Sequence, residues 1–225
     1  MQKRVLVFAP HPDDETLACG GTIMKRLKEG WEVVVVFMTD GRHALSNKGI
    51  LSNPTPEELQ KIRRVEAVTA AKILGVPEKN LIFWDFEDLS LSKNYEAVRS
   101  KTSKVLYDIQ PVEIYFPSDK DLNKDHQTAN EILEECVEGL KFKATAYQYF
   151  LFPKFVRLRP FFNWLTKRYK HNLRAIDISE FVAQKAAALD AYTSQTKIIA
   201  EKQVRPDLIN LQRFLKKHEV FFVRE

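Results

Sequence analysis

Two short polar clusters carry the side chains that can do chemistry. The first is His11-Pro12-Asp13-Asp14-Glu15, and the second is Asp119-Lys120-Asp121-Leu122-Asn123-Lys124-Asp125-His126. His11 and Asp14 are three residues apart, and His126 can join them as a second imidazole. Two imidazoles and one carboxylate leave a fourth position open, the arrangement of a catalytic rather than a structural zinc site. The set carries one negative charge, so a Zn²⁺ site would stay net positive, lower the pKa of a water and polarise a carbonyl. Asp13, next to the ligands, is then free to take a proton. Blander readings stand beside this one. A His-x-x-Asp pair can be only a hydrogen-bonded turn, and Asp125 can be only the cap of the next helix.

These clusters need elements to bring them together. Arg4–Ala9 and Trp31–Met38 are β-branched, continuous apolar runs, read as buried parallel strands. Leu81–Trp84 and Val112–Phe116 read as two more. Helices are expected at Thr16–Glu29, from Thr55 to Gly75, at Tyr95–Ile109 and at Gln127–Leu140. Thr55-Pro56-Glu57-Glu58 forms a capping box with Pro at the first helical position. Alternating strands and helices predict an α/β, Rossmann-like, three-layer domain with a mostly parallel sheet. Both clusters then follow strands at the carboxyl edge, where such sheets bind ligands. Beyond Leu140 the pattern loosens. Strands are expected at Tyr147–Phe152, Ala175–Ile178 and Val220–Val223, and helices at Ser179–Tyr192 and Pro206–Lys217. The expected organisation is a catalytic core over 1–140, a basic aromatic insertion or lid over 141–174, and elements at 175–225 completing the same domain.

Composition narrows the classes. The 225 residues are 44% hydrophobic and 29% charged, which excludes a disordered or collagen-like chain. Cys19 and Cys136 are too few for a disulfide framework. No G-x-G-x-x-G or P-loop follows the first strand, so a standard dinucleotide or nucleotide site is not expected there. No apolar run of membrane-spanning length is present, and Val5–Pro10 is too short for a signal peptide, so a cytoplasmic protein is expected.

The residues Ala9-Pro10-His11-Pro12-Asp13-Asp14-Glu15 resemble the signature of the PIG-L/LmbE-like N-acetylglucosaminyl deacetylases. Further pieces follow in the same order: Thr39-Asp40-Gly41, Arg63-Arg64-Val65-Glu66, Phe116-Pro117-Ser118, Asp125-His126 and Tyr192-Thr193-Ser194-Gln195. The resemblance implies a zinc-dependent amidohydrolase, another divalent metal being the alternative. Its substrate would be an acetamido sugar of the N-acetylglucosamine type, which loses its acetyl group. Carried over by position, His11, Asp14 and His126 hold the metal and Asp13 is the general base. Arg63 is placed to contact substrate, and Asp40 and Asp85 are weaker candidates for the same role. One departure stands out. Many relatives have a histidine three residues before the last ligand, where this chain has Asn123. An Asn amide can donate to an oxyanion but cannot protonate a leaving amine. Two other readings remain: a non-enzymatic nucleotide-sugar or cation-binding Rossmann-like protein, and an esterase on an O-acetyl sugar.

The net charge of +5 is unevenly placed. Residues 141–174 hold nine Lys/Arg and no Asp/Glu, so the remainder is net acidic. The same segment holds ten aromatic residues, among them Phe161, Phe162 and Trp164 near Arg157, Arg159, Lys167 and Arg168. Peripheral association with an anionic membrane face, a lipid- or phosphate-linked sugar substrate, and a lid or homo-oligomer contact are the competing expectations. Nucleic acid is not expected, because no binding motif accompanies the charge.

Overall fold

The first two strands are apolar at nearly every position because both faces of their sheet are covered. In this computed structural model, residues 2–50, 53–139, 143–151, 172–206, 208 and 211–224 are described. Seven strands form one sheet: β1 (Arg4–Ala9), β2 (Glu32–Thr39), β3 (Leu81–Phe86), β4 (Glu113–Pro117), β5 (Thr145–Tyr149), β6 (Leu173–Asp177) and β7 (His218–Arg224). Their order is β3-β2-β1-β4-β5-β7-β6. The first five are parallel, and β7 runs antiparallel to both neighbours.

Alternate residues of each strand serve opposite cores. Val5, Val7, Ala9, Val33, Val35 and Phe37 face one side, with α1 (Asp14–Lys28), α2 (Pro56–Leu74) and α5 (Val182–Asp190) packed there. Leu6, Phe8, Val34, Val36 and Met38 face the other, under α3 (Tyr95–Ile109) and α4 (Lys124–Glu138). Each fully buried aliphatic or Phe side chain contributes about 1.5–3 kcal/mol. The two-sided burial is what a parallel sheet demands of its sequence. The capping box forms as expected: Thr55 accepts from the Glu58 amide, and the Glu58 side chain accepts from Thr55 N–H.

β1 and β4 are parallel neighbours at the centre, and the strand order reverses between them: β2 and β3 are added on one side and β5 on the other. Ligands of open α/β sheets sit at such a crevice. The His11 cluster leaves β1 there, and the Asp119–His126 cluster leaves β4 there.

Several expectations need correction. Helix α1 starts at Asp14, two residues early, so Asp14 and Glu15 stand in its first turn. Helix α4 starts at Lys124, so His126 also stands in a first turn. Asn123 caps α4, accepting from the Asp125 amide at 2.8 Å, so Asp125 is not the cap. In place of the helix expected at Pro206–Lys217, the described residues show one 3₁₀ turn, Leu211–Arg213. Part of the expected insertion, Thr145–Tyr149, is a strand of the sheet itself. Phe161, Phe162, Trp164, Arg157, Arg159, Lys167 and Arg168 lie outside the described residues.

The late elements are fastened to α1. Glu219 on β7 accepts from the Gly21 amide (2.9 Å), the Thr22 amide (2.8 Å) and the Thr22 hydroxyl (2.6 Å), and pairs with Lys185 on α5 at 2.7 Å. Both charges are buried, so they need these partners. Gly21 is required by the approach, since a Cβ there would lie 2.4 Å from Ile178.

Candidate metal centre

His11 Nδ1, Asp14 Oδ2 and His126 Nε2 converge in the β1/β4 crevice. The distances are 3.3 Å between the two nitrogens, 3.4 Å from His11 Nδ1 to Asp14 Oδ2, and 3.1 Å from His126 Nε2 to the same oxygen. A tetrahedral ion with bonds near 2.0–2.1 Å has ligand–ligand edges of about 3.3 Å. The three donors therefore already stand at the edges of such a polyhedron. His126 and Asp14 are buried, while the His11 side chain is 15% exposed, which leaves the site a mouth.

The remote nitrogen of each imidazole faces a carboxylate. His11 Nε2 lies 3.1 Å from Asp125 Oδ2, and His126 Nδ1 lies 3.2 Å from Asp121 Oδ2. This arrangement orients a ligating ring and selects the tautomer whose other nitrogen has a free lone pair. Both carboxylates are themselves held. Asp125 accepts from the Leu89 and Leu91 amides, and Asp121 from the Asn123 and Leu151 amides. Asp125 is thus drawn away from a capping role by His11 and the loop after β3.

The charge balance of the free site follows from these contacts. Burial disfavours charge on His11, yet hydrogen bonds to Asp125 and Asp14 raise its pKa well above the ordinary value. His126 is likewise opposed by burial but raised to about 9 by Asp14 and Asp121. Asp14 is held well below the usual carboxylate range, because its two histidines outweigh the burial that raises it. Protons therefore compete with a metal for His126 below about pH 9, and for His11 in the same direction. Metal affinity should fall as pH drops, and binding at neutral pH should release protons. Calorimetry in buffers of different ionisation enthalpy measures that release; an affinity independent of pH from about 6 to 9 would overturn the protonated state of the free site.

Asp13 stands beside the donors in an uncommon conformation, φ 128° and ψ −26°. A non-glycine residue held there stores about 1–3 kcal/mol of strain. It precedes α1, but its side chain makes no capping bond. The carboxylate is instead 3.3 Å from Arg63 Nη2, and Arg63 also donates to the Pro12 carbonyl. Burial pushes the Asp13 carboxyl up to about 7, against the pull of Arg63. Arg63 is itself buried in α2, passing beside Gly41. A Cβ at Gly41 would lie 2.4 Å from Arg63 Nε, and the φ there is +74°, so glycine is needed twice over.

The structure sorts the remaining candidates. Arg63, Asn123 and the metal donors line one cavity of about 280 Å³, together with Asp13, Asp88 and Gln195. Asp40 is turned aside: its carboxylate binds Arg42 Nε at 2.8 Å and Nη2 at 2.6 Å. Asp85 is not brought to the site. It is half exposed and paired with Arg64 at 3.0 Å on the outer face. Asp88, three residues on, takes the place expected of it, accepting from the Gly41 and His43 amides at 2.8 and 3.0 Å. Sequence reasoning also passed over Asp121 and Asp125 as supports of the ligands, although both lie in the flagged cluster.

Residues 6–137 match the family described as PIG-L: GlcNAc-PI de-N-acetylase. A probable N-acetyl-α-D-glucosaminyl L-malate deacetylase 2 of Bacillus cereus is 28% identical over 208 residues, covering 89% of this chain and 87% of that protein. Among solved structures, the N,N′-diacetylchitobiose deacetylase of Pyrococcus horikoshii superposes with a TM-score of 0.71 at 23% identity, over 99% of this chain and 84% of that one. The 4-carboxy-2-hydroxymuconate hydratase of Pseudomonas putida gives 0.72 at 20% identity, over 99% and 95%. At these identities the two structures share the fold with this chain.

Proposed function

The chain belongs to the PIG-L family, and from that premise we propose that it removes the acetyl group from an N-acetylglucosamine-type sugar, with zinc as its metal. The observation that carries the reading is Asp13. Its carboxylate is pinned by Arg63 on the wall of the cavity that also holds His11, Asp14 and His126. A divalent ion bound by those three donors would supply Lewis-acid polarisation of the acetyl oxygen and acidify a water.

The chain's own groups do the rest. Asp13 takes a proton from the attacking water as the new C–O bond forms. The same carboxyl then returns a proton to the departing nitrogen as the C–N bond breaks, giving acetate and a free amine. Arg63 keeps the Asp13 carboxylate from turning inward to cap α1. Asn123 commits its amide oxygen to the cap, and its amide nitrogen is our candidate donor to the developing oxyanion. Asp88 and Gln195 line the cavity, where the sugar hydroxyls would sit.

The basic, aromatic stretch 141–174 favours an acetamido sugar bearing a lipid or phosphate. A screen of simple glycosides, nucleotide-linked and lipid-linked acetamido sugars tests the reading through acetate and primary amine released together. Equal amounts of both are expected, with the fastest turnover on an anionic aglycone. Acetate without amine, from an O-acetyl sugar alone, would replace the amidase by an esterase. No release from any acetylated sugar would overturn the function.

A further inference from the structure

We propose that the turn Tyr192–Ser194 is the positioning device of Asp13, holding its backbone through Glu15 and its carboxylate through Glu66 and Arg63. The inference rests on the role given to Asp13 above.

Asp13 has the backbone of a residue that must be held. Its amide donates to Glu15 Oε2 at 3.0 Å. The other Glu15 oxygen accepts from the Thr16 hydroxyl and, at 2.6 Å, from the Tyr192 hydroxyl. Glu15 and Tyr192 are each 0% exposed, so Glu15 is a buried carboxylate whose acceptors are filled from three directions. Deleting one donor leaves a buried oxygen short of a partner. The ring is then free to shift, and with it the amide that defines the Asp13 turn.

The second restraint starts from the same turn. Thr193 Oγ (2.7 Å), the Ser194 amide (2.7 Å) and Ser194 Oγ (2.6 Å) all donate to Glu66. Glu66 is buried on α2, one helical turn after Arg63 and on the same face, and its charge acts on the Arg63 guanidinium through space, without a hydrogen bond between the two. Arg63 in turn holds the Pro12 carbonyl and the Asp13 carboxylate. Three consecutive residues thus bear on both sides of the base, Tyr192 through Glu15 and Thr193 and Ser194 through Glu66. Neither Tyr192 nor Glu15 lines the cavity. They act on the reaction through Asp13 and are positioning residues.

The test is Tyr192→Phe, which removes one hydroxyl and keeps the ring. Misplacement of a reacting group by about 1 Å costs on the order of 10²-fold in rate. Turnover should therefore fall by about 10–100-fold, with KM within about twofold and metal content unchanged. In an Asp13→Asn background the same change should add nothing, because the base it positions is gone. Glu15→Gln, with one acceptor oxygen for three donors, should reproduce the turnover effect and covers the case in which Tyr192→Phe does not fold. Hydrogen exchange of the peptide spanning Asp13 gives a readout independent of activity. It should speed up in Tyr192→Phe while peptides of the sheet keep their wild-type rates. Unchanged exchange at Asp13 overturns the proposal, whatever the activity. So does a rate loss that persists in full in the Asp13→Asn background. Faster exchange in a protein whose wild type releases no acetate overturns the deacetylase reading and leaves the brace standing.

Discussion

His126→Ala is expected to abolish stoichiometric metal binding and to lower acetate release by about 10³-fold or more, since a metal supplies several kcal/mol of transition-state stabilisation. The geometry explains the size of the effect. With His126 gone, only His11 Nδ1 and Asp14 Oδ2 remain, 3.4 Å apart. Two protein donors are one short of a catalytic site. The carboxylates behind the rings should matter less but in the same direction. Asp125→Asn or Asp121→Asn should weaken metal affinity by about 10–100-fold, as loss of a ligand's supporting hydrogen bond does. Metal analysis after dialysis, alongside activity in excess zinc, separates the two classes: excess metal should rescue the supporting variants and fail with His126→Ala. A His126→Ala protein that keeps one tightly bound ion would remove His126 from the ligand set.

Asp13→Asn is expected to keep its metal and its fold while turnover drops by about 10²–10⁴-fold, the worth of a positioned general base. The amide oxygen can still accept from Arg63, so the side chain should stay in place. What is lost is the capacity to take and return a proton. The KM should change little, because the groups assigned to the sugar are untouched. Metal content equal to wild type, with wild-type turnover, would eliminate Asp13 from the mechanism.

Much of this site was legible because its parts lie in short runs of sequence. His11 to Glu15 and Asp119 to His126 each follow an apolar strand, and the alternation of elements alone places both at one sheet edge. What failed to read is what depends on distant packing. Asp85 and Asp88 are three residues apart after β3, and nothing in the run says which one turns inward. The structure decides it through the Gly41 and His43 amides, which donate to Asp88, while Asp85 pairs with Arg64. Asp125 reads as an ordinary cap until His11, 114 residues away, is seen to need it. The three strands of the β5-β7-β6 edge do read as apolar runs, but without alternating helices nothing announces that they pair antiparallel. The stretch Pro206–Lys217 has an apolar spacing that suits a helix, yet its described residues offer one 3₁₀ turn. Tyr192 belonged to a piece of the resemblance that meant little alone. Its partner, Glu15, is visible only in three dimensions.

The span between Glu15 and Tyr192 also orders events in time. A nascent chain grows at about 5–20 residues per second. His126 follows His11 by 115 residues, so the last metal donor emerges about 6–23 s after the first. Tyr192 follows Glu15 by 177 residues, about 9–35 s of synthesis. The donors for an ion are thus complete on the ribosome before the partner of Glu15 exists. On the proposed roles, the residues that would hold the metal are therefore synthesised before the turn that would aim the base.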